Sequence, residues 1–236
     1  MAPFFTGITR AIGGAGFGKR AGGIILPAIG AAFEGGFFAG TISHTDDGVA
    51  THALIVAPRA TGATGTGYTL TTLKQWKTSN SSTAGTTSSF DGAINSANMN
   101  NASHPAAKFC EDLSIGGYTD WYLPARYELD IAYENLKPDT TSNNTLNGIN
   151  PYSVPERTVN RTAGAPARTS IAAFQTGGAE AFVASLHWSS TEGGAASAWR
   201  LLFSNGCQGS APTTCIVSTG TKTDGNSVRA FRKVAL

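Results

Sequence analysis

Few groupings of residues in this chain could do chemistry. His187 lies two positions before Ser189 in the run His187-Trp-Ser-Ser-Thr-Glu192, so on a strand the imidazole and the hydroxyl would share one side. A hydrolytic serine also needs a strained elbow and an acid that orients its histidine. The chain has no Gly-x-Ser-x-Gly and offers no identifiable acid, so Ser189 and Thr191 are expected to bond local backbone instead. His44, Asp46, Asp47 and His52 bring nitrogen and oxygen donors together, but their spacing matches neither zinc nor EF-hand patterns. Asp47-Gly48 reads more simply as the turn of a hairpin. Gly13 to Arg20, GGAGFGKR, approximates a phosphate-cradling loop. It lacks the Ser or Thr that should follow Lys19, and no buried strand feeds it. No catalytic residue, metal or cofactor is therefore expected.

Two further groups suggest binding. Arg157, Arg161 and Arg168 cluster in a polar stretch from Asp139 to Arg168, and their guanidinium donors could face sugars or carboxylates. Trp76 stands in a long polar stretch, residues 59–101, either as a plug in the core or as an exposed stacking platform. These four residues form the candidate glycan-binding surface. Of the three cysteines, Cys110 reads as a buried thiol on a helix face, while Cys207 and Cys215 could pair across a short Gly/Pro loop.

The elements that would position these groups follow from periodicity. Leu129, Ala132, Tyr133 and Leu136 recur at i, i+3, i+4 and i+7, which predicts a helix opened by Pro124 and stopped by Pro138. Ala106, Phe109, Cys110 and Leu113 predict a second helix, capped by Ser103 and opened by Pro105. Trp121, Tyr122 and Leu123 form an apolar plug at the corner between them. Strands are expected at Phe37 to Ile42, His52 to Ala57, Trp199 to Phe203, Cys215 to Ser218 and Ser227 to Val234. Arg232 on the last strand needs a buried acid, for which Glu128 and Glu192 are the expected partners.

A chain of 236 residues suits one domain plus an arm. The formal charge of +2 gives no electrostatic reason to bind nucleic acid or an acidic membrane. Charged residues make up only 14%, and the abundant Gly, Ser, Thr and Asn favour loops with hydroxyl and amide surfaces. Residues 1–32 are Gly-rich and apolar, with Phe4, Phe5, Ile8, Ile12 and Phe17 too numerous to leave in water. They read as an anchoring arm that buries itself against a partner or sister subunit rather than on its own domain. Pro27 and the shortness of the apolar run argue against membrane insertion.

Taken together, the corner Gly116-Gly-Tyr-Thr-Asp-Trp-Tyr-Leu-Pro124, the helix bearing Glu128, Trp188-Ser-Ser-Thr191, Trp199, Gly206 and the ending Val228-Arg-Ala-Phe-Arg232 resemble the Lcl C-terminal domain family, also called DUF1566. The blocks occur in the family's order from about Phe33 to the C-terminus. The resemblance implies an α+β, C-type lectin-like domain over residues 33–236: two helices packed on twisted antiparallel strands, with long loops. It makes Trp121, Pro124, Glu128, Trp188, Trp199 and Arg232 part of the fold's signature rather than a reaction centre. Such domains occur in bacterial surface adhesins and in tailed-phage virion proteins, and Gly35 to Ile42 with Leu54 to Pro58 looks like the phage form. The implied protein is non-enzymatic and trimeric. It would be assembled into a virion in the bacterial host cytoplasm, held to other virion proteins by its arm, and able to bind host surface polysaccharide. Purely structural decoration and a bacterial adhesin are the alternatives. The Glu-Pro-Asn and Gln-Pro-Asp triplets of calcium-dependent sugar binding are absent.

Overall fold

The computed structural model describes residues 20–21, 23–45, 47–209 and 220–236. Residues 1–19 of the expected arm, Asp46, Cys215 and the strand expected at Cys215 to Ser218 lie outside the described residues. The described chain is α+β, with more strands than helices. It joins the domain before Phe33: the Gly30 N–H donates to Phe38 O at 2.7 Å, and Ala32–Phe33 pairs with Gly36 and Phe37.

The main sheet has five strands, and all its pairings are antiparallel. Phe231–Ala235 lies beside His52–Val56, which pairs with Gly36–Ile42, and that strand takes Ala32–Phe33 and Ser153–Val154. His52–Val56 reads His-Ala-Leu-Ile-Val because it is covered on both faces. Successive side chains alternate in direction, so Leu54 and Val56 enter one core while Ile55 and Ala57 enter another. Leu54, Ile55 and Val56 each contribute about 1.5–3 kcal/mol by full burial.

The first core holds Leu129, Ala132, Tyr133 and Leu136, the stripe predicted for the central helix, which runs Arg126–Leu136. Its start differs from expectation. Pro124 precedes the helix, Ala125 is the extended N-cap, and the Glu128 carboxylate accepts from the Ala125 N–H at 2.7 Å. The helix packs tightly on the sheet at Gly40, where φ is 138° and an added Cβ would lie 2.7 Å from both Asn135 Nδ2 and Ile131 Cγ2.

The second core is built around Trp76, Trp121 and Trp188, with Ala106 and Cys110 from the helix Pro105–Glu111. Pro105 opens that helix as expected, but His104 rather than Ser103 is its N-cap, and no side chain caps it. Gly92–Ala97, capped by Asp91, gives helical structure to the end of the long polar stretch. A second antiparallel sheet consists of Leu186–Gly194, Ser197–Leu202 and Cys207–Gly209. Its hairpin register shifts between Ala198 and Arg200, so Trp199 sits at an irregularity. The expected final strand is divided: Val228–Arg229 pairs with Ala63–Thr64, and Phe231–Ala235 pairs with His52–Val56. Among the described residues, no helix is long and apolar enough to cross a membrane.

Candidate functional site

The groups suspected of chemistry are dispersed. His187 and Ser189 are both buried but do not meet: His187 Nε2 lies 2.6 Å from Tyr68 Oη, and Ser189 Oγ donates to Trp199 O at 2.9 Å. Burial holds the His187 pKa down to about 3, so its ring is neutral. His44 and His52 stack with ring centres 4.2 Å apart. Asp47 turns back onto Ser43 and Val49 N. Among the described residues, no group of three or more His, Cys, Asp or Glu is placed to hold a metal ion.

The candidate glycan surface is not brought together either. Trp76 is fully buried, its indole N–H donating to Ser189 O at 2.9 Å, so it offers no stacking platform. Arg161 is fully buried and Arg157 half-buried, and both grip Asp130 and Glu134 of the central helix. Asp130 also accepts from Asn150 and Gln208. These arginines fasten the Asp139 to Arg168 stretch to the helix. Of the four, only Arg168 is exposed.

Five of the residues expected to form the fold's signature, Trp121, Pro124, Glu128, Trp188 and Arg232, take structural positions, with one changed partnership. Trp121 and Trp188 are buried and donate to Tyr118 O and Lys74 O. Pro124 O accepts from Ser190 N at 2.7 Å. Glu128 is fully buried and accepts from Ala125 N, Gly92 N and Tyr122 Oη. Burial raises its pKa to about 7. Arg232 pairs with neither Glu128 nor Glu192. It bonds Asp120 and Glu34 and lies over the Tyr118 ring, while Glu192 takes Lys222. The correction follows from the pleat: Arg232 points to the corner that carries Tyr118 and Asp120, away from the helix start. Cys110 is a free buried thiol, and Cys207 is disulfide-bonded.

What the fold does assemble is a continuous stripe of half-buried rings. The Arg126 guanidinium lies 3.8 Å over the Trp199 ring and 4.4 Å over Tyr127. Tyr127 meets Tyr152 at 5.6 Å, Tyr152 stacks on Phe90 at 4.3 Å, and Phe90 meets His44 at 5.3 Å. His44 and His52 close the run. Arg126, Tyr127, Phe90, Tyr152, Trp199, His44 and His52 are all half-buried, and Phe90 and Tyr152 also pack against the first core. Arg126 is the first residue of the central helix, and among the described residues its guanidinium bonds only Tyr127 Oη, at 3.0 Å. It makes no ion pair with a described carboxylate, and its Nε is buried without a partner. At the far end, burial and the neighbouring Lys233 lower the His44 pKa to about 4. The stripe therefore carries one fixed cation and neutral rings near pH 7. Trp199, His44 and His52 were singled out by the sequence, whereas Phe90, the adjacent Arg126 and Tyr127, and Tyr152 come from three separate stretches and were not.

No protein-family model matches the chain, and no curated protein matches it.

Proposed function

We propose that the protein is a non-enzymatic virion component of a tailed phage, with a C-type lectin-like domain of the Lcl C-terminal type that binds host surface glycan along the aromatic stripe. The stripe is the observation that carries this reading. Flat ring faces receive the apolar faces of sugars, and a few fixed polar groups set their orientation. Tyr127 Oη and the Arg126 guanidinium supply such groups beside Trp199. The low charge and the sequence blocks of the corner, the helix and the C-terminal strand support the same assignment. In it, the N-terminal arm holds the protein to other virion proteins and the chains assemble as trimers.

The test uses the full chain, fluorescently labelled, on cells of the host that the parent particle infects. The expected result is saturable binding, competed by purified surface polysaccharide and weakened about tenfold by Trp199→Ala or Tyr127→Ala. Absence of binding, or binding untouched by both substitutions, would reject the stripe as a receptor site and leave the protein a structural decoration.

A further inference from the structure

The guanidinium of Arg126 is a cation with no acid to balance it among the described residues. It stands at the first position of the helix Arg126–Leu136, where the positive end of the helix dipole disfavours a positive charge. The acid of that first turn, Glu128, is turned into the core, onto Ala125 N, Gly92 N and Tyr122 Oη. Burial lowers the Arg126 pKa, and the group that opposes this is Tyr127 rather than a carboxylate. At the other end of the stripe Lys233 and Asp91 pair with each other at 2.6 Å, so together they add no net charge. A half-buried cation without a counter-ion is costly, and an anion from outside would relieve that cost.

The donors are disposed for such an anion. A guanidinium's N–H groups lie in its plane, so the Trp199 and Tyr127 ring contacts leave them unused. Nη2 donates to Tyr127 Oη at 3.0 Å, and Nε is buried without a partner. Nη1 bonds no described group and is not buried. The accessible side is therefore the Nη1–Nη2 edge, whose parallel N–H groups match the paired oxygens of a carboxylate. The backbone N–H groups of Arg126 and Tyr127 are engaged by Thr191 Oγ1 and Ser89 O, so the helix amides take no part.

We propose that the glycan received by the stripe is an acidic one, and that Arg126 binds the carboxylate of a uronic acid or related sugar acid through its Nη1–Nη2 edge. This inference rests on the glycan reading of the stripe and names the chemical class of its ligand.

The experiment measures binding of the full chain to immobilised surface polysaccharide from the host that the parent particle infects. The polymer is used in its native form and after chemical reduction of its carboxylates to alcohols, which keeps the sugar rings and linkages and removes the charge. Binding to the native polymer is expected to be at least about tenfold tighter. Arg126→Gln should bring the affinities for the two polymers to within about twofold of each other. Lys108→Gln, which removes a cation outside the stripe, should keep the difference. Equal binding to both polymers by the wild type would overturn the acidic ligand and leave the glycan reading standing. Binding to neither would remove the glycan reading, and this inference with it. A difference that survives Arg126→Gln would overturn the assignment to Arg126. Loss of binding on desulfation of the polymer, rather than on carboxyl reduction, would overturn the carboxylate. The comparison of the two polymers uses the wild type alone, so it decides the class of ligand without any variant.

Discussion

Arg161 and Arg126 are both arginines laid over a tyrosine, and they serve opposite ends. Arg161 lies 4.7 Å over the Tyr133 ring, is fully buried, and is held by Asp130 and Glu134. Arg126 lies between Tyr127 and Trp199, is half-buried, and meets no described carboxylate. A guanidinium whose donors are matched by buried acids is committed to the fold. One that is held by ring faces and a single tyrosine hydroxyl keeps donors for something else. The polar stretch that looked like a binding loop is thus the fastened region, and the ordinary-looking start of the central helix is the open one.

The largest expected effect breaks the fastened side. Arg161→Ala would leave Asp130 buried with one guanidinium fewer, and should cost about 3–5 kcal/mol in denaturant unfolding. A loss under about 1 kcal/mol would mean that the network is not what holds the Asp139 to Arg168 stretch.

Glu128 gives a test by pH. Its folded pKa, raised by burial to about 7 from the ordinary 4.5, means that the native state binds the extra proton between those values. Its contribution to stability is therefore complete below about pH 4.5 and is lost as pH rises towards 7. Glu128→Gln removes that loss. The stability of the variant relative to the wild type should climb by roughly 1–3 kcal/mol across this window, as read from unfolding curves at several pH values. His44, His104 and His187 act in the opposite sense. Their pKa values, lowered by burial to about 4, 4 and 3, add stability as pH rises towards 6.5. A flat difference between variant and wild type would show that Glu128 stays ionised in the fold.

Arg126→Ala sharpens the other side of the comparison. Losing its ring contacts should cost only about 0.5–2 kcal/mol in stability. Cell binding should fall far more than the small stability loss explains, by about tenfold. A variant as destabilised as Arg161→Ala would place both arginines in the same structural role. The smallest effect is expected at the exposed pair Lys108 and Asp112, whose 2.7 Å contact joins successive helical turns. Lys108→Ala should change stability by no more than about 0.5 kcal/mol, because solvent screens the pair.

Local pattern was enough for much of the scaffold. The i, i+3, i+4, i+7 spacing put Leu129, Ala132, Tyr133 and Leu136 on one helical face, which is buried, and the apolar run His52 to Ala57 marked a strand, whose two faces the structure covers. Pro105 opened its helix because its missing N–H is unneeded there. These outcomes depend on periodicity and backbone chemistry, which a sequence states directly. Partner choice did not follow in the same way. Arg232 took Asp120 and Glu34, and the Glu128 carboxylate closed the helix start at Ala125, because the direction of a side chain depends on how remote strands are registered. The stripe is the clearest case. Its rings come from the first hairpin, the approach to a short helix, the start of the central helix, the polar insertion and an irregular hairpin position at Trp199. Each ring alone is an ordinary aromatic in the sequence, and only the packing of five distant segments brings them into contact.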